Sequence, residues 1–153
     1  MKYDDASWHY GGDFPAELPP EAGATHIGMF VAWALTNGLA GELHTQDSPD
    51  DLANLHDRRE TPGNWFIRNC DEKFTNEDLD EEGNAFARDY YQATDAQTSP
   101  YLADYTKAFP RHPDLYSVPD TWETYDRIAP LISRGFSKWR GDERSLWSRL
   151  FGD

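Results

Sequence analysis

The chain has little of several features that would narrow its class. Its 153 residues include one cysteine, Cys70, so no disulfide can form within the chain. Apolar runs are short, and none reaches the roughly 20 residues that a bilayer-spanning helix needs. The N-terminus lacks the basic and then apolar stretch of a secretory signal, and carries Asp4 and Asp5 there instead. We therefore expect a soluble, cytoplasmic protein in which Cys70 is a buried, unreactive thiol.

Basic residues are also scarce, with 14 Lys and Arg against 28 Asp and Glu, for a net charge of −14. The imbalance is uneven: residues 1–57 hold ten acids and one base, residues 58–106 eleven and five, and residues 107–153 seven and eight. An acidic surface repels nucleic-acid phosphates and anionic membranes, so we expect neither as a partner. Such a surface steers a basic protein toward it, although general solubility accounts for acidity equally well.

Aromatic residues, in contrast, are abundant: six Trp, eight Tyr and eight Phe. Disordered chains are poor in these residues, and a chain of this length is typical of one domain. We expect a single helical domain with an N-terminal arm over residues 1–140. Residues 141–153 are expected to form a C-terminal amphipathic helix or tail, in which Leu146, Trp147, Leu150 and Phe151 share a face.

Helix signals recur along the chain, whereas alternating strand patterns are weak throughout. The fold class is therefore predicted to be mainly α, a compact domain of five to seven helices with an ordered aromatic N-terminal arm. The first predicted helix covers 22–37, is apolar all round and ends before Gly38. Further helices are predicted to start at Pro49, at Pro62 and at Pro100, and the one at Pro49 should run to about Arg59. Two more should follow capping boxes at Thr75–Asp78 and Asp120–Glu123, and Pro130 should kink or split the second of these.

The opening segment, Lys2-Tyr-Asp-Asp-Ala-Ser-Trp-His-Tyr-Gly-Gly-Asp-Phe-Pro15, is the most distinctive part of the sequence. Trp8, Tyr10 and Phe14 would each forfeit a few kcal/mol of burial (about 1.5–3) if left in water, so the arm is expected to be ordered. The segment leads into the apolar stretch Ala24–Leu35. Three further distinctive strings follow later in the chain, at Glu81–Phe86, Tyr101–Tyr105 and Val118–Glu123.

These strings together resemble an uncharacterised family of small acidic bacterial proteins that begin with a KYDDASWHYGGDFP-type segment. The resemblance spans residues 1 to about 140. It implies a shared fold, and it is compatible with immunity proteins of polymorphic toxin systems.

Sequence spacings typical of catalytic or metal sites are missing: there is no HExxH, zinc-type Cys/His pattern, phosphate loop or serine elbow. Residues 78–89 resemble a calcium loop, but Glu82 and Asp89 depart from the residue types required at its fifth and twelfth positions. We therefore predict no metal ligand, no cofactor and no enzymatic activity. The open alternative is a small metal-dependent or acid/base enzyme. Its pocket would be lined by His9, Asp4, Asp5 and Asp13, with His26 as a further member.

An acidic protein without a catalytic signature fits an inhibitor, and our leading interpretation is an immunity protein that neutralises a cognate basic toxin. The acidic surface would block a basic cleft, and exposed aromatics would anchor the contact. A third interpretation is an oligomeric housekeeping module that uses the Leu146–Phe151 helix, and a monomer and a homodimer both remain open. The residues predicted to bind the partner are Asp47, Asp50, Asp51, Glu77, Asp78, Asp80, Glu81 and Glu82.

Overall fold

The structure, a computed structural model, describes residues 1–11, 14–92 and 99–151, without the side chains of 142–148 and 151. The described residues are mainly helical, as the sequence predicts, and include one small two-stranded sheet. Short 3-10 helices precede or connect several elements. The strands are β1 (Lys2–Asp5) and β2 (Lys73–Thr75), and the helices are α1 (Thr25–Thr36), α2 (Glu42–Thr45), α3 (Pro49–His56), α4 (Pro62–Cys70), α5 (Glu81–Tyr90), α6 (Pro100–Ala108) and α7 (Trp122–Phe151).

Helix α1 lies at the centre of the fold. Every residue from Thr25 to Leu35 is buried, which confirms the prediction of a central helix that is apolar all round. Its closest neighbour is α4: a Cβ atom on Gly28 would lie 2.8 Å from the Cα of Gly63. The helix ends where predicted, because Gly38 adopts a φ of +83°, a conformation that side chains disfavour.

An aromatic cluster joins α1 to the elements around it. The Phe30 ring lies 4.9 Å from Tyr91 and 5.4 Å from Tyr101, measured between ring centroids. It also lies 5.7 Å from Phe74 of β2 and 6.2 Å from Phe86 of α5. Ring pairs at these separations add to the stability from burial, and they fix the ends of α5 and α6 beside the start of α1.

Three helices begin with proline at their first position, as predicted: Pro49 in α3, Pro62 in α4 and Pro100 in α6. Proline is favoured there because the first helical N–H has no partner within the helix. Helix α3 ends at His56, short of the expected Arg59, where the chain enters a turn.

The predicted capping box at Thr75 is present, but it opens a different element. Its two hydrogen bonds join Thr75 and Asp78 around a 3-10 turn over Asn76–Asp78, and helix α5 starts only afterwards. The side chain of Asp80 caps α5 by accepting a hydrogen bond from the N–H of Gly83 at 2.8 Å. The run of acids is thus divided between two successive helix starts.

The second predicted box is wrong in its cap residue. Thr121, not Asp120, caps α7: its Oγ1 accepts from the N–H of Thr124 at 3.1 Å. Asp120 instead caps α4, where its carboxylate accepts from the N–H of Gly63 at 2.8 Å and of Asn64 at 3.2 Å. A carboxylate at the start of α4 satisfies N–H groups that have no partner inside that helix.

Helix α7 continues through Pro130, so the predicted split at that residue is wrong. The boundary expected at residue 140 falls inside this helix. Of the expected terminal apolar face, Leu150 is exposed, while the side chains of Leu146, Trp147 and Phe151 lie outside the described residues. Throughout the described ranges, no helix is both long enough and apolar enough to cross a membrane.

The N-terminal arm contains a strand that the sequence did not predict. Strand β1 pairs antiparallel with β2, with Asp4 opposite Phe74 and Asp5 opposite Lys73. A 3-10 turn over Ala6–His9 follows, and Trp8 on this turn is 58% exposed. The expected burial of Trp8 is therefore wrong. Its ring instead lies under the ammonium group of Lys2, 5.3 Å from the ring centroid.

Candidate functional site

A pocket of about 270 Å³ lies where β1, the start of α1 and the end of α5 meet. Its walls include Asp4 from β1, His9 from the turn after β1, and His26 from the first turn of α1. One ligand atom from each of these three side chains lies within 4.8 Å of the other two. The β1–β2 pairing and the burial of α1 hold the three groups in place.

The Asp4 carboxylate is the centre of this cluster. Its Oδ1 lies 2.8 Å from Nε2 of His9 and accepts from the N–H of Asp5 at 2.8 Å. Its Oδ2 accepts from the Tyr91 hydroxyl at 2.6 Å. Burial raises the pKa of Asp4, but the neighbouring His26 and His9 rings and the Tyr91 hydroxyl outweigh it and hold that pKa well below its usual range. Asp4 is therefore a fully ionised, fixed carboxylate.

His9 connects Asp4 to a residue far along the chain. Its Nδ1 lies 2.7 Å from the hydroxyl of Tyr116, while its Nε2 faces Asp4. The ring also packs edge-on against His26, with centroids 4.7 Å apart. Because the ionised Asp4 carboxylate can only accept, Nε2 of His9 donates to it, while the Tyr116 hydroxyl can donate to or accept from Nδ1. A proton can move along this series of hydrogen bonds.

His26 is the unusual member of the cluster. The residue is 1% exposed, and neither of its ring nitrogens has a hydrogen-bond partner within the described part of the chain. Its Nε2 lies 3.6 Å from Oδ2 of Asp4, beyond hydrogen-bond distance. Burial lowers the pKa of His26, so the ring is neutral at physiological pH. A buried polar group without a partner costs about 1–3 kcal/mol, so this arrangement calls for a reason.

The structure divides the residues that the enzyme alternative grouped together. It brings Asp4, His9 and His26 into one cluster, whereas the Asp5 carboxylate binds the Lys2 ammonium at 2.8 Å and the Ser7 hydroxyl at 2.7 Å. Asp13 lies outside the described residues.

Sequence reasoning missed Tyr91 and Tyr116, the two hydroxyls that hold the cluster. They lie 87 residues from Asp4 and 107 residues from His9, respectively. No local spacing connects positions so far apart, and tyrosines are common throughout the chain.

A second buried cluster lies beneath α2 and contains His44, Cys70 and Asp78. The Nε2 of His44 is 2.8 Å from Oδ1 of Asp78, and the N–H of Thr75 donates to Oδ2 at 2.9 Å. Burial and the Asp78 carboxylate raise the pKa of the Cys70 thiol well above its ordinary value, in line with the predicted unreactive thiol. Asp78 is only 2% exposed, so it offers no carboxylate to the predicted partner surface.

The other seven predicted partner-binding residues lie at the surface, on elements that are neighbours in space. Helix α2 packs against both α3 and the turn over Asn76–Asp78, so the two acidic segments both adjoin this short helix. We call this surface the acidic face. Of its residues, Asp47, Asp50, Glu77, Glu81 and Glu82 are exposed, and Asp51 and Asp80 are half-buried.

Two residues of the acidic face have cationic neighbours. Glu82 lies 3.5 Å from Arg140, and Asp51 lies 3.8 Å from Arg68. Asp80 is already engaged as the cap of α5. The apolar side chain of Leu43 on α2 is 38% exposed.

Comparison with known proteins identifies a family for most of the chain. The model of the family described as Domain of unknown function (DUF7832) matches residues 2–118. The chain belongs to this family. No curated protein and no solved structure matches it. The match includes Asp4, His9 and His26 and the two tyrosines that bind them, Tyr91 and Tyr116. It ends before α7, short of the expected limit near residue 140.

Proposed function

We propose that this protein is an immunity protein that binds a basic antibacterial toxin and blocks its active cleft. The observation that supports this function is the acidic face, whose carboxylates at Asp47, Asp50, Glu77, Glu81 and Glu82 are exposed, with α2 contacting both α3 and the turn over Asn76–Asp78. Toxins that act on nucleic acids or nucleotides need basic clefts, and a surface of the opposite charge competes with their substrate. Membership of a family of unknown function is compatible with this role.

The charge on the acidic face is largely uncompensated. Among the ion pairs of the described residues, none involves Asp47, Asp50, Glu77 or Glu81. Exposed charges without an intramolecular partner keep their full attraction for an approaching cation, and they accelerate association at low salt. A basic partner is therefore expected to associate quickly with this face and to be sensitive to ionic strength.

An apolar anchor accompanies the charge. Binding energy in protein interfaces concentrates in a few apolar side chains within a polar rim. Leu43 is a candidate for that role, since it is partly exposed on α2, the helix that contacts both α3 and the turn over Asn76–Asp78. The sequence led us to expect aromatic anchors, but the exposed Trp8 lies beside Lys2 on the N-terminal turn instead.

The test compares two charge-reversed variants in affinity purification from the native host at low and moderate salt. The first variant reverses the acidic face at Asp50→Lys, Glu77→Lys and Glu81→Lys. The control variant makes the same change in charge at Glu17→Lys, Glu21→Lys and Glu123→Lys, which are exposed positions on other elements. Both sets include first-turn positions of helices, so the helix-dipole cost is matched.

The proposal expects one stoichiometric basic protein to co-purify with the wild type and the control variant, and to be lost from the acidic-face variant. The purified partner should also be toxic when it is expressed alone. The same partner bound equally by both variants would refute the electrostatic contact. A partner without toxicity would refute the immunity function.

A second candidate function is acid/base catalysis on a small molecule in the pocket. The observation that favours it is the series of hydrogen bonds from Tyr116 through His9 and Asp4 to Tyr91, of which the last three residues line a cavity of about 270 Å³. A metabolite that raises the melting temperature of the wild type, but not of a His9→Gln variant, would support it. Equal shifts in both proteins would place the ligand outside this pocket.

A further inference from the structure

The geometry points to a binding site for a borderline divalent metal ion of the zinc type, held by Asp4, His9 and His26. In the open enzyme alternative these residues are grouped with Asp5 and Asp13, although they match no metal-ligand spacing. The inference does not rest on the proposed inhibition, since the pocket and the acidic face use different side chains.

The three ligand atoms have the separations that such an ion requires. Oδ1 of Asp4 lies 2.8 Å from Nε2 of His9, and Oδ2 of Asp4 lies 3.6 Å from Nε2 of His26. Ligands at the usual zinc bond lengths in a tetrahedral site lie about 3.3 Å from one another. The two observed separations, one from each oxygen of Asp4, lie on either side of this value. One ligand atom from each of the three residues also lies within 4.8 Å of the other two.

The unpartnered ring of His26 is the independent observation that points to a ligand. The side chain is buried and turned toward Asp4, and both ring nitrogens lack a hydrogen-bond partner in the described ranges. A neutral imidazole nitrogen is the form that binds a metal ion. Coordination through Nε2 would satisfy one of these nitrogens and offset a cost that the ion-free arrangement leaves uncompensated.

Neighbouring hydroxyls already orient two of the three ligands. A metal-binding histidine usually donates its other N–H to an acceptor, and Nδ1 of His9 lies 2.7 Å from the Tyr116 oxygen. Ligating carboxylates are likewise held by hydrogen bonds, and the Tyr91 hydroxyl donates to Asp4 at 2.6 Å. The adjoining pocket leaves space for a further ligand such as water.

The donor set selects the class of metal ion. Two imidazoles and one carboxylate suit zinc and other first-row transition ions, whereas calcium and magnesium prefer oxygen ligands. The cluster of His44, Cys70 and Asp78 carries no comparable inference, because no fully buried nitrogen or oxygen of its side chains lacks a hydrogen-bond partner, unlike those of His26. We therefore expect substitutions of the ligands Asp4, His9 and His26 to affect metal binding, and substitutions of His44, Cys70 and Asp78 to leave it unchanged.

The experiment is calorimetric titration of Zn²⁺ into chelator-treated full-length protein, with Mg²⁺ as the comparison ion. We expect one Zn²⁺ per chain, no Mg²⁺ binding, and a higher melting temperature with Zn²⁺. The variant His9→Gln removes a half-buried ligand and should abolish this binding. The control His112→Gln changes an exposed histidine on another segment and should bind as the wild type does.

A second variant, Tyr116→Phe, keeps all three ligands and removes only the hydroxyl that orients His9. Loss of such an orienting group is expected to weaken metal affinity about 10- to 100-fold, and it tests the site even if His9→Gln fails to fold. Wild-type protein that binds no Zn²⁺ would overturn the inference. Stoichiometric binding that is unchanged in His9→Gln and Tyr116→Phe would also overturn it, because the ion would then lie elsewhere.

Discussion

Asp120 offers a sharp test of the fold, because its carboxylate caps a helix to which it does not belong. We expect Asp120→Ala to lower the free energy of unfolding by about 2–3 kcal/mol. The carboxylate accepts from the N–H of Gly63, the N–H of Asn64 and the hydroxyl of Thr61, at 2.8, 3.2 and 2.5 Å. Because Asp120 lies in the segment before α7, loss of its carboxylate also removes hydrogen bonds that hold this segment against α4.

The magnitude follows from which donors can reach water. Gly63 is buried, so its N–H is left unsatisfied, and an unsatisfied buried donor costs about 1–3 kcal/mol. Asn64 is exposed, and water replaces most of what its N–H loses. In Asp120→Asn one acceptor oxygen remains, but the new NH₂ group faces donors, so we expect an intermediate loss of about 1–2 kcal/mol.

Urea unfolding of wild type, Asp120→Ala and Asp120→Asn at neutral pH measures these differences. Asp57→Ala is the control, since that carboxylate is exposed and its 3.8 Å contact with Arg59 is worth about 0–1 kcal/mol. A loss in Asp120→Ala no larger than in Asp57→Ala would refute the cross-element cap. An unchanged slope against urea in all variants would show that the comparison is between the same two states.

Three further predictions concern the core. Tyr105→Phe should raise the free energy of unfolding, measured in urea, by about 1 kcal/mol, because the buried Tyr105 hydroxyl has no hydrogen-bond partner among the described residues. Tyr101→Phe should lower it by about 1–2 kcal/mol, because it removes the 2.6 Å hydrogen bond from the Tyr101 hydroxyl to the His26 carbonyl. Equal effects would contradict this contrast. Gly28→Ala should cost about 1–3 kcal/mol, since its Cβ would lie 2.8 Å from backbone atoms of α4, and a neutral effect would contradict the close packing of α1 on α4. Burial raises the pKa of Tyr90, Tyr101 and Tyr105 in the folded chain. Above the unfolded pKa near 10, the three groups together should therefore lower the free energy of unfolding by about 4 kcal/mol per pH unit. If the absorbance of these tyrosinates rose at a pH below that of the unfolding transition, this prediction would be contradicted.

The helices were predictable where their signals are local. Pro49, Pro62 and Pro100 each mark a first helical position, and a run of apolar residues without a polar face identifies α1 as central. These signals act over one or two turns of chain, so they hold whatever the rest of the molecule does.

The remaining features depend on contacts between distant segments. Strand β1 has four residues and a partner of three, so its pairing comes from tertiary contacts and leaves no alternation in the sequence. Asp78 lies in an acidic run that predicts exposure, yet its carboxylate is buried, where it forms a hydrogen bond with the distant His44. Asp120 has the sequence context of a cap for the helix that follows it, but its carboxylate instead accepts from the N–H of Gly63, a donor that lies 57 residues away in the sequence.

The pocket was predictable only in part. Asp4, His9 and His26 were grouped as an alternative site because they are close in sequence and include residue types that bind metals or protons. The role of each member depends on Tyr91 and Tyr116, which reach the pocket only in the folded chain.

The pairing of β1 with β2 has a consequence for synthesis of the protein. Strand β1 leaves the ribosome before its partner β2, which follows about 70 residues later, an interval of about 4–14 s at ordinary rates of translation. During that interval β1 is an unpaired strand with aromatic neighbours, which is the kind of segment that chaperones bind or that pairs with another nascent chain. Tyr116 emerges later still, so the pocket closes only when most of the chain has been made. Yield from a cell-free system is therefore expected to depend on elongation rate and on added chaperone.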